Sequence, residues 1–422
     1  MSAVGDALAD IRQRFPDAQR LVVAYSGGRD SHVLLHAARQ QSPLPVRALH
    51  VVHGLQSVAA PWPQHCERVC AALDVPLDVV EATVVSAGQG LEAAAREARY
   101  DVFAQQINPH DLLLQAHHAE DQAETLLLRL MRGTGIRGMA AMPTTRALGQ
   151  GILWRPLLGV SSKNVAQYAA QMQLEWIEDP SNRDTQFDRN YLRQKVTPLL
   201  SERWPKMAMQ LSAAARRAGE AESLLAELIE PKLEQLSSSD GGLSCDGLLA
   251  ASTQMQRYLL RAWLAKHRPL APTESQLRAA LRDVLRARRD ADPRLYLGGG
   301  ELRRHREYLY WVPTVSVDTI QTHQWDDTRV PLKVGDELLS LDSDFGKRLI
   351  IPEQAVVQIR FRQGGERIRL RSGERALKKL LQDHSVPSWR RDRTALLYLN
   401  DEFAAVWNIS IAAKYEKSVK KQ

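Results

Sequence analysis

The sequence predicts an α/β fold: an N-terminal doubly wound parallel sheet, followed by a mainly helical middle domain and a small α+β C-terminal domain. Three observations predict it. Near the N-terminus, short apolar runs alternate with segments of helical periodicity, as in repeated strand–helix units. Helical segments rich in Ala, Leu and Glu follow, and the last part alternates short strand patterns with one helix. The predicted domains are residues 1–205, 206–320 and 330–422.

Size, charge and cysteine content limit the class of protein. A chain of 422 residues is too long for a single ordinary core, and its net charge of +7 suits a polyanionic partner without proving one. No apolar run approaches the roughly 18 residues of a membrane span, and the N-terminus lacks a signal-peptide core. The cysteines Cys66, Cys70 and Cys245 do not complete a zinc site, which favours free thiols. We therefore expect a cytoplasmic protein with no membrane contact.

The first domain is predicted from five apolar runs, each followed by a helical pattern. The predicted strands are residues 21–25, 46–52, 77–82, 112–117 and 152–158. The predicted helices are a short one within 1–20, then 31–41, 61–73, 91–107, 119–132 and 161–173. Right-handed crossovers bring the carboxyl ends of parallel strands to one edge of the sheet, where ligands bind in open α/β sheets. We therefore expect the loop at 26–31, His53 and His117 to share that edge.

The remainder of the chain changes in character. Residues 178–190 are dense in Asp, Asn, Pro and Ser and predict a loop. Helices are predicted at 206–236, 246–267 and 273–289, strands at 293–297, 301–304 and 307–312, a connector at 313–335 and a further helix at 374–384. Between Arg360 and Arg393, eleven Lys/Arg stand against four Asp/Glu, with Trp389 among them. This stretch is either solvated charged surface or, as we slightly favour, a surface that faces RNA.

The segment 21–31, LVVAYSGGRDS, joins a buried strand to a helix through two glycines. A glycine turn before a helix presents free backbone N–H groups, and the helix N-terminus favours an anion. Gly27 and Gly28 let the backbone approach a phosphate, and Ser26 and Ser31 add hydroxyl donors. The pattern is neither a Walker A loop nor GxGxxG. The alternative is an ordinary strand-to-helix turn.

A second group of polar residues lies in QAHHAEDQAETLLLRL, residues 115–130. His117 ends the fourth predicted strand, and Asp121 and Glu124 follow it at helical spacing, so that one helix face carries all three. The two carboxylates could hold Mg²⁺ against phosphates, or they could bind an ammonium group of a substrate. The alternative is a solvated acidic face, which a helix N-terminus favours in any case.

Several ordered motifs resemble a known family. SGGRDS resembles the SGGxDS loop of the PP-loop ATP pyrophosphatases, which have an adenine nucleotide alpha hydrolase-like fold. The motifs HVVHGL, AHHAEDQAETLLLRLMRGTG, RPLL and EDPSNRDTQFDRNYLR resemble, in order, those of the tRNA(Ile)-lysidine synthetase family. The basic stretch that contains RQGGERIRL and VPSWRRDR resembles that family's C-terminal domain. Two positions depart from the family pattern: Val52 stands where histidine is frequent, and Glu120 where aspartate is common.

The resemblance implies an ATP-dependent ligase. That family joins L-lysine to C2 of the wobble cytidine of a CAU-anticodon tRNA(Ile), through an O2-adenylated intermediate, with release of pyrophosphate and AMP. The resemblance implies ATP and Mg²⁺ as cofactors, tRNA binding by the middle and C-terminal domains, and it allows a homodimer. The alternatives are a PP-loop tRNA sulfurtransferase, for which the cysteines supply no pair near the predicted edge, and a non-catalytic RNA-binding protein.

The same resemblance implies roles for individual residues. The nucleotide-binding set is Ser26, Gly27, Gly28, Arg29, Asp30, Ser31 and His53. The catalytic set is Asp30, Arg99 and His117, with Asp30 also the Mg²⁺ ligand. The substrate-binding set is Asp121, Glu124, Arg189, Asn190 and Arg193, in which the two acids are expected to recognise the lysine.

Overall fold

The computed structural model describes most of the chain and divides it into two compact units. The described residues are 2–52, 61–84, 91–180, 184–267, 271–288, 291–314, 322–334 and 337–417. The first unit comprises residues 1–227 and the second comprises residues 228–422. The bounds of the three predicted domains remain a prediction.

The first unit is built on a six-stranded sheet. Its strands are β1 (Arg20–Ala24), β2 (Val46–Val52), β3 (Leu77–Glu81), β4 (Asp111–Leu114), β5 (Thr145–Leu148) and β6 (Gly151–Trp154). Their order is β3-β2-β1-β4-β6-β5, and all pairs are parallel except β5 with β6. The predicted parallel sheet is therefore confirmed. The antiparallel β5 was not predicted, and the predicted strand 152–158 is wrong beyond Trp154, because Pro156 lacks an N–H for the ladder and opens a 3₁₀ turn, Pro156–Gly159.

Helices cover both faces of this sheet. They are α1 (Ala3–Leu8), α2 (Ile11–Arg14), α3 (Arg29–Gln41), α4 (Trp62–Ala72), α5 (Leu91–Gln106), α6 (Ala119–Met131), α7 (Ile136–Met139), α8 (Ser162–Gln171), α9 (Asp188–Tyr191) and α10 (Thr197–Arg203). Successive side chains of a strand point to opposite faces. Leu21 and Val23 accordingly join the core with α3 and α8, while Val22 packs with Phe103 of α5. This doubly wound arrangement sends the strand-end loops to one edge.

The segment from α9 to α10 differs from the rest of the first unit. A π-helical turn, Leu192–Val196, joins the two short helices. Neither helix nor this turn contains a buried residue. The loop predicted at 178–190 thus ends in a helix that begins at Asp188, and apolar burial does not hold this segment in place.

The second unit begins within a long helix and contains two separate cores. Its helices are α11 (Met207–Leu236, which crosses the boundary between units), α12 (Cys245–Ala250), α13 (Thr253–His267), α14 (Glu274–Ala279), α15 (Leu377–Asp383) and α16 (Ser388–Arg391). The single helix predicted at 246–267 is two helices, because the chain breaks at Ala251 and Ser252. A π-helical turn, Ala280–Leu285, continues α14.

Four strands accompany the helices of the middle region, and the C-terminal region is mainly β. The first four strands are β7 (Leu243–Ser244), β8 (Arg294–Tyr296), β9 (Gly300–His305) and β10 (Tyr308–Pro313), in the order β7-β10-β9-β8. The C-terminal strands are β11 (His323–Gln324), β12 (Leu332–Val334), β13 (Glu337–Leu339), β14 (Val357–Arg360), β15 (Arg367–Leu370), β16 (Gly373–Ala376), β17 (Leu396–Leu399), β18 (Glu402–Val406) and β19 (Ser410–Ile411). Leu377 and Leu380 of α15 pack in a core with Leu396 of β17.

Trp389 belongs to an aromatic cluster inside the second unit. The Arg303 guanidinium lies 5.2 Å from the centre of the Trp389 ring. The rings of His305 and Tyr310 lie 5.9 and 5.7 Å from it. Trp389 is therefore half-buried against β9 and β10.

None of the helices within the described residues is long and apolar enough to cross a membrane.

Candidate active site at the carboxyl edge of the sheet

The loop after β1 is shaped by one glycine and two serines. Gly27 has φ +82°, a left-handed conformation that favours glycine, and a Cβ there would lie 3.2 Å from Cys66 Sγ. The hydroxyls of Ser26 and Ser31 lie 3.0 Å apart, and Ser31 Oγ donates to Gly28 O at 2.9 Å. Gly28 is the N-cap of α3, and among the described residues no side chain caps that helix. The first N–H groups of α3 therefore remain available to an anion.

Asp30 is the acid of this loop, and it can serve as one ligand of Mg²⁺. Its Oδ1 accepts a hydrogen bond from Arg29 Nε at 2.9 Å, and its Oδ2 lies 3.6 Å from His118 Nε2. Burial opposes ionisation, but His118 and Arg29 hold the pKa of Asp30 below its ordinary value. Within the described residues, no group of three or more His, Cys, Asp or Glu could hold a metal by itself. A single carboxylate fits Mg²⁺ only together with phosphate oxygens and water, which is the usual mode for this ion.

His118 connects the loop to the helix that follows β4. It is the N-cap of α6 and is 5% exposed. Its Nδ1 lies 3.1 Å from Glu120 Oε2 and 3.5 Å from Asp121 Oδ2, while its Nε2 faces Asp30. Burial disfavours the imidazolium, but Asp30, Glu120 and Asp121 outweigh it and raise the pKa of His118 to about 10. His118 is therefore a cation that holds three carboxylates at one place.

Glu120 connects α6 to α8. Its Oε2 accepts a hydrogen bond of 2.7 Å from Ser162 N, the first residue of α8. Ser162 Oγ in turn accepts a hydrogen bond of 3.1 Å from Arg29 Nη2. The loop 26–31, α6 and α8 are thus linked by charged hydrogen bonds, which are stronger than neutral ones.

The predicted acidic face of α6 is present and is filled by two arginines. Asp121 is 8% exposed and Glu124 is 1% exposed. Arg189 Nε donates to Glu124 Oε2 at 2.9 Å and its Nη2 to Asp121 Oδ1 at 3.0 Å. Arg193 Nε donates to Glu124 Oε1 at 2.7 Å, and its Nη2 lies 2.9 Å from both Asp121 Oδ1 and Glu124 Oε2. The two acids are therefore a buried cation site, and the segment from α9 to α10 supplies the cations.

The electrostatics of this cluster favour full ionisation. Burial alone would raise the pKa of Asp121, but the charges of His118 and Arg189 lower it well below its ordinary value. Burial also works against the Arg193 guanidinium, yet its hydrogen bonds and charge interactions with Glu124 raise its pKa. Removing a guanidinium without replacing it would leave buried carboxylates unpaired, which costs several kcal/mol.

His117 occupies a different environment from His118. It lies three residues beyond β4, which ends at Leu114 rather than at the predicted residue 117. Arg155 Nε donates a hydrogen bond to His117 Nδ1 at 3.3 Å. Burial lowers the pKa of His117 to about 3, and the charge of Arg155 acts in the same direction, although Asp121 opposes it. His117 is therefore a neutral imidazole.

Comparisons with known proteins bear on this geometry. Residues 4–200 match the family model of a PP-loop domain, residues 243–310 that of a TilS substrate binding domain, and residues 357–422 that of a TilS substrate C-terminal domain. A tRNA(Ile)-lysidine synthase of Serratia proteamaculans is 41% identical over 412 residues, which cover 96% of this chain and 94% of that protein. The chain belongs to the tRNA(Ile)-lysidine synthase family. Proteins of the same name from Pseudomonas putida and Coxiella burnetii are 42% and 38% identical, covering 92% and 93% of this chain.

The structure of this lysidine synthase relative brings most of the expected residues to one edge. The serines, glycines and Asp30 of the loop meet α6 through His118, and Arg189 and Arg193 reach Asp121 and Glu124. Asn190 donates instead to Asp184 O at 2.9 Å. Arg99 is exposed on α5. Burial lowers the pKa of His50 near the end of β2, and the charge of Arg99 lowers it further. His53 lies outside the described residues.

Sequence reasoning missed three residues of this family member. His118, Glu120 and Arg155 all take part in the network, whereas only the neighbouring His117 was assigned a role. The doubled histidine in AHHAED and the arginine of RPLL were the available signals. The family matches favour lysidine synthesis over sulfur transfer, and the geometry agrees with them. Cys66 is fully buried beneath Gly27, and burial raises the pKa of its thiol to about 12.

Proposed function

We propose that this protein is an ATP-dependent ligase that joins L-lysine to C2 of the wobble cytidine of a CAU-anticodon tRNA(Ile), forming lysidine. One observation carries the proposal: a glycine loop at the start of α3 and a buried pair of carboxylates lie at one sheet edge, joined by His118. The loop suits the phosphates of ATP and the carboxylates suit an amine. Family membership supports the same conclusion.

The phosphate end of the site is the loop 26–31. The N–H groups at the start of α3 and the hydroxyls of Ser26 and Ser31 would donate to the pyrophosphate part of ATP. Asp30 would be the protein ligand of Mg²⁺, which when bound neutralises phosphate charge. Arg99 and Arg29 supply further positive charge for the pyrophosphate, and we include His53 in the nucleotide site from the family pattern alone.

The first chemical step activates the base. The C2 oxygen of cytidine attacks the α-phosphorus of ATP, the bond to the β-phosphate oxygen breaks, and pyrophosphate leaves. The product is an O2-adenylated cytidine. Donors arranged at the start of α3 stabilise charge that develops on the phosphates, and they need no reorganisation during the reaction.

The second step requires an amine at the acid pair. The lysine ε-ammonium would replace guanidinium contacts on Asp121 and Glu124, so Arg193, Arg189 or both must move when lysine binds. An ammonium with an ordinary pKa of about 10.4 costs roughly 4–5 kcal/mol to deprotonate at pH 7. One of the two carboxylates, freed from its guanidinium, would accept that proton. The neutral amine then attacks C2, and AMP leaves with the C2 oxygen.

The other regions would bind the tRNA. The middle and C-terminal regions match the substrate-binding models of the family, and the C-terminal stretch from Arg360 to Arg393 has an excess of cations. Backbone phosphates favour such a surface. We propose a cytoplasmic enzyme, with a homodimer as the assembly to be tested by light scattering.

Asp121→Asn tests the proposal. Incorporation of labelled lysine into tRNA(Ile) should fall at least a hundredfold, because the amide cannot take the proton and pairs poorly with an ammonium, while ATP affinity stays within about twofold. The matched control is Asp188→Asn, an exposed acid on α9 that contacts only Arg132 among the described residues. Unchanged lysine incorporation by Asp121→Asn would contradict the proposed role. Transfer of labelled cysteine sulfur in place of lysine would support the alternative enzyme class.

A further inference from the structure

Within the part of the chain that the structure describes, Arg155 is a buried charge without a carboxylate partner. It is 3% exposed and directly follows β6, the strand that pairs with β4. Within the described ranges, no Asp or Glu oxygen lies within ion-pair distance of its guanidinium. Three neutral groups accept its hydrogen bonds: Pro143 O at 2.8 Å, Tyr100 Oη at 3.2 Å and His117 Nδ1 at 3.3 Å. Burying a guanidinium without an opposite charge costs desolvation free energy, so a contribution to fold stability does not by itself explain Arg155 at this position.

The guanidinium is fixed on several sides. The Arg155 backbone N donates to Thr144 O at 2.8 Å. Tyr100, which accepts from Arg155, donates its own hydroxyl to Gln115 Oε1 at 3.1 Å. Arg96 and Arg146 lie 5.2 and 4.4 Å from the centre of the Tyr100 ring. The direction in which Arg155 Nε points at His117 is therefore set by the backbone at Pro143 and Thr144 and by Tyr100 of α5.

The chemistry of the pair decides the tautomer of His117. A guanidinium has only donors, so the ring nitrogen that faces it must present a lone pair. Nδ1 is then unprotonated, and in a neutral ring the single proton is on Nε2. Among the described residues, Nε2 of His117 has no hydrogen-bond partner, and the ring is only partly buried. If Nδ1 were protonated, its N–H and the N–H of Arg155 Nε would face each other as two donors. The low pKa of His117 agrees with an unprotonated Nδ1.

We propose that Arg155 is a positioning residue that locks His117 in the Nε2–H tautomer, so that His117 acts in the site as a neutral hydrogen-bond donor. It then cannot be the base that takes the proton from the lysine ammonium, because its only free ring nitrogen already carries hydrogen. The donor role rests on the proposed function, with an oxygen of the nucleotide or the base as acceptor. The tautomer itself does not depend on that function.

Nitrogen NMR of the free full-length protein tests the tautomer without ATP, lysine or tRNA. Protein labelled with ¹⁵N-histidine is compared with the His117→Asn variant to assign the ring. At pH 7 we expect an unprotonated Nδ1 and a protonated Nε2. A wild-type spectrum with the proton on Nδ1, or with both nitrogens protonated, overturns the proposal, and this measurement needs no variant of Arg155 to fold.

Two variants then separate positioning from structure. Arg155→Met should populate the Nδ1–H tautomer and lower kcat for lysidine formation at least tenfold, with KM for ATP changed less than threefold. Arg137→Met is the matched control, since Arg137 is an exposed arginine on α7 that, among the described residues, contacts neither Tyr100 nor His117, and it should leave the spectrum unchanged. An unaltered His117 spectrum in folded Arg155→Met overturns the proposal. Absence of lysidine formation by wild-type protein that has the expected tautomer would instead refute the proposed function alone.

Discussion

The two ends of the candidate site are built in different ways. In the loop 26–31 the donors available to an anion are backbone N–H groups and the hydroxyls of Ser26 and Ser31, and the loop is held by hydrogen bonds within itself and by one from Ile177 N to Gly27 O. The acidic face of α6 is made of two carboxylates whose partners, Arg189 and Arg193, come from 65 to 72 residues away. The loop leaves donors available for a ligand. The acidic face is already occupied by cations of its own chain.

The two ends of the site should therefore respond differently to a ligand. Backbone groups held by several hydrogen bonds cannot move without strain, so we expect the loop to bind phosphate in a preorganised form. A carboxylate pair held by long side chains can exchange one cation for another, because the segment from α9 to α10 buries no residue. We therefore expect phosphate binding to depend on geometry and amine binding to depend on competition between charges.

The largest effect is expected from the two loop glycines. Gly27→Ala must adopt φ +82° and place a methyl group 3.2 Å from Cys66 Sγ, so the protein should lose about 1–2 kcal/mol of stability and most of its AMP formation. Gly28 has φ −80° and its nearest neighbour would be Ser26 Oγ at 3.5 Å. Gly28→Ala should therefore keep the melting temperature and still lose ATP affinity at least tenfold. Full ATP affinity in Gly28→Ala would contradict phosphate binding at this loop.

A substitution of His118 tests whether its charge holds the two ends of the site together, since it lies between Asp30 and Asp121. Its pKa is raised to about 10 in the folded protein, above the ordinary 6.5, so its stabilising effect is complete below about pH 6.5 and is lost as the pH rises through 10. His118→Gln should lower stability by roughly 3 kcal/mol at pH 6, and the difference in melting temperature from wild type should shrink between pH 6.5 and 10. The exposed His110, changed to Asn, is the control. A difference that stays constant with pH would show that His118 is neutral.

A smaller effect, in the opposite direction, is expected for lysine binding. Arg193→Gln removes one competing cation from the acid pair, and calorimetry on the free protein should show lysine binding about 3–10-fold tighter, or about 1 kcal/mol. Lys195→Gln, an exposed cation in the same turn, should leave the affinity unchanged. Weaker lysine binding in Arg193→Gln would mean that the guanidinium is itself part of the lysine site.

The smallest effect is expected at Cys66. The thiol is fully buried, and its Sγ lies 3.6 Å from His50 Nδ1. Cys66 therefore packs against the loop at Gly27 and is not exposed to solvent. Cys66→Ala should cost about 1 kcal/mol of stability and leave lysine incorporation within about twofold of wild type. A loss of activity in protein that remains folded would instead support the alternative of a tRNA sulfurtransferase.

Local sequence patterns are sufficient to predict the sheet, the glycine loop and the spacing that puts Asp121 and Glu124 on one helix face. These features depend on neighbours along the chain: apolar runs, the left-handed turn at Gly27 and the period of a helix. The antiparallel β5 escaped prediction because it is short and mostly exposed, so that its apolar pattern is weak.

Contacts between distant elements determine which side chains of the site are charged and which are already paired with other side chains. His117 and His118 are adjacent in sequence, yet Arg155 and burial make the first neutral while three carboxylates make the second a cation. The family resemblance places Arg189 and Arg193 in the site, but nothing in their local pattern predicts that they pair with Asp121 and Glu124. A pKa and an ion pair depend on charges that distant elements bring within a few ångströms, and no local pattern contains that information.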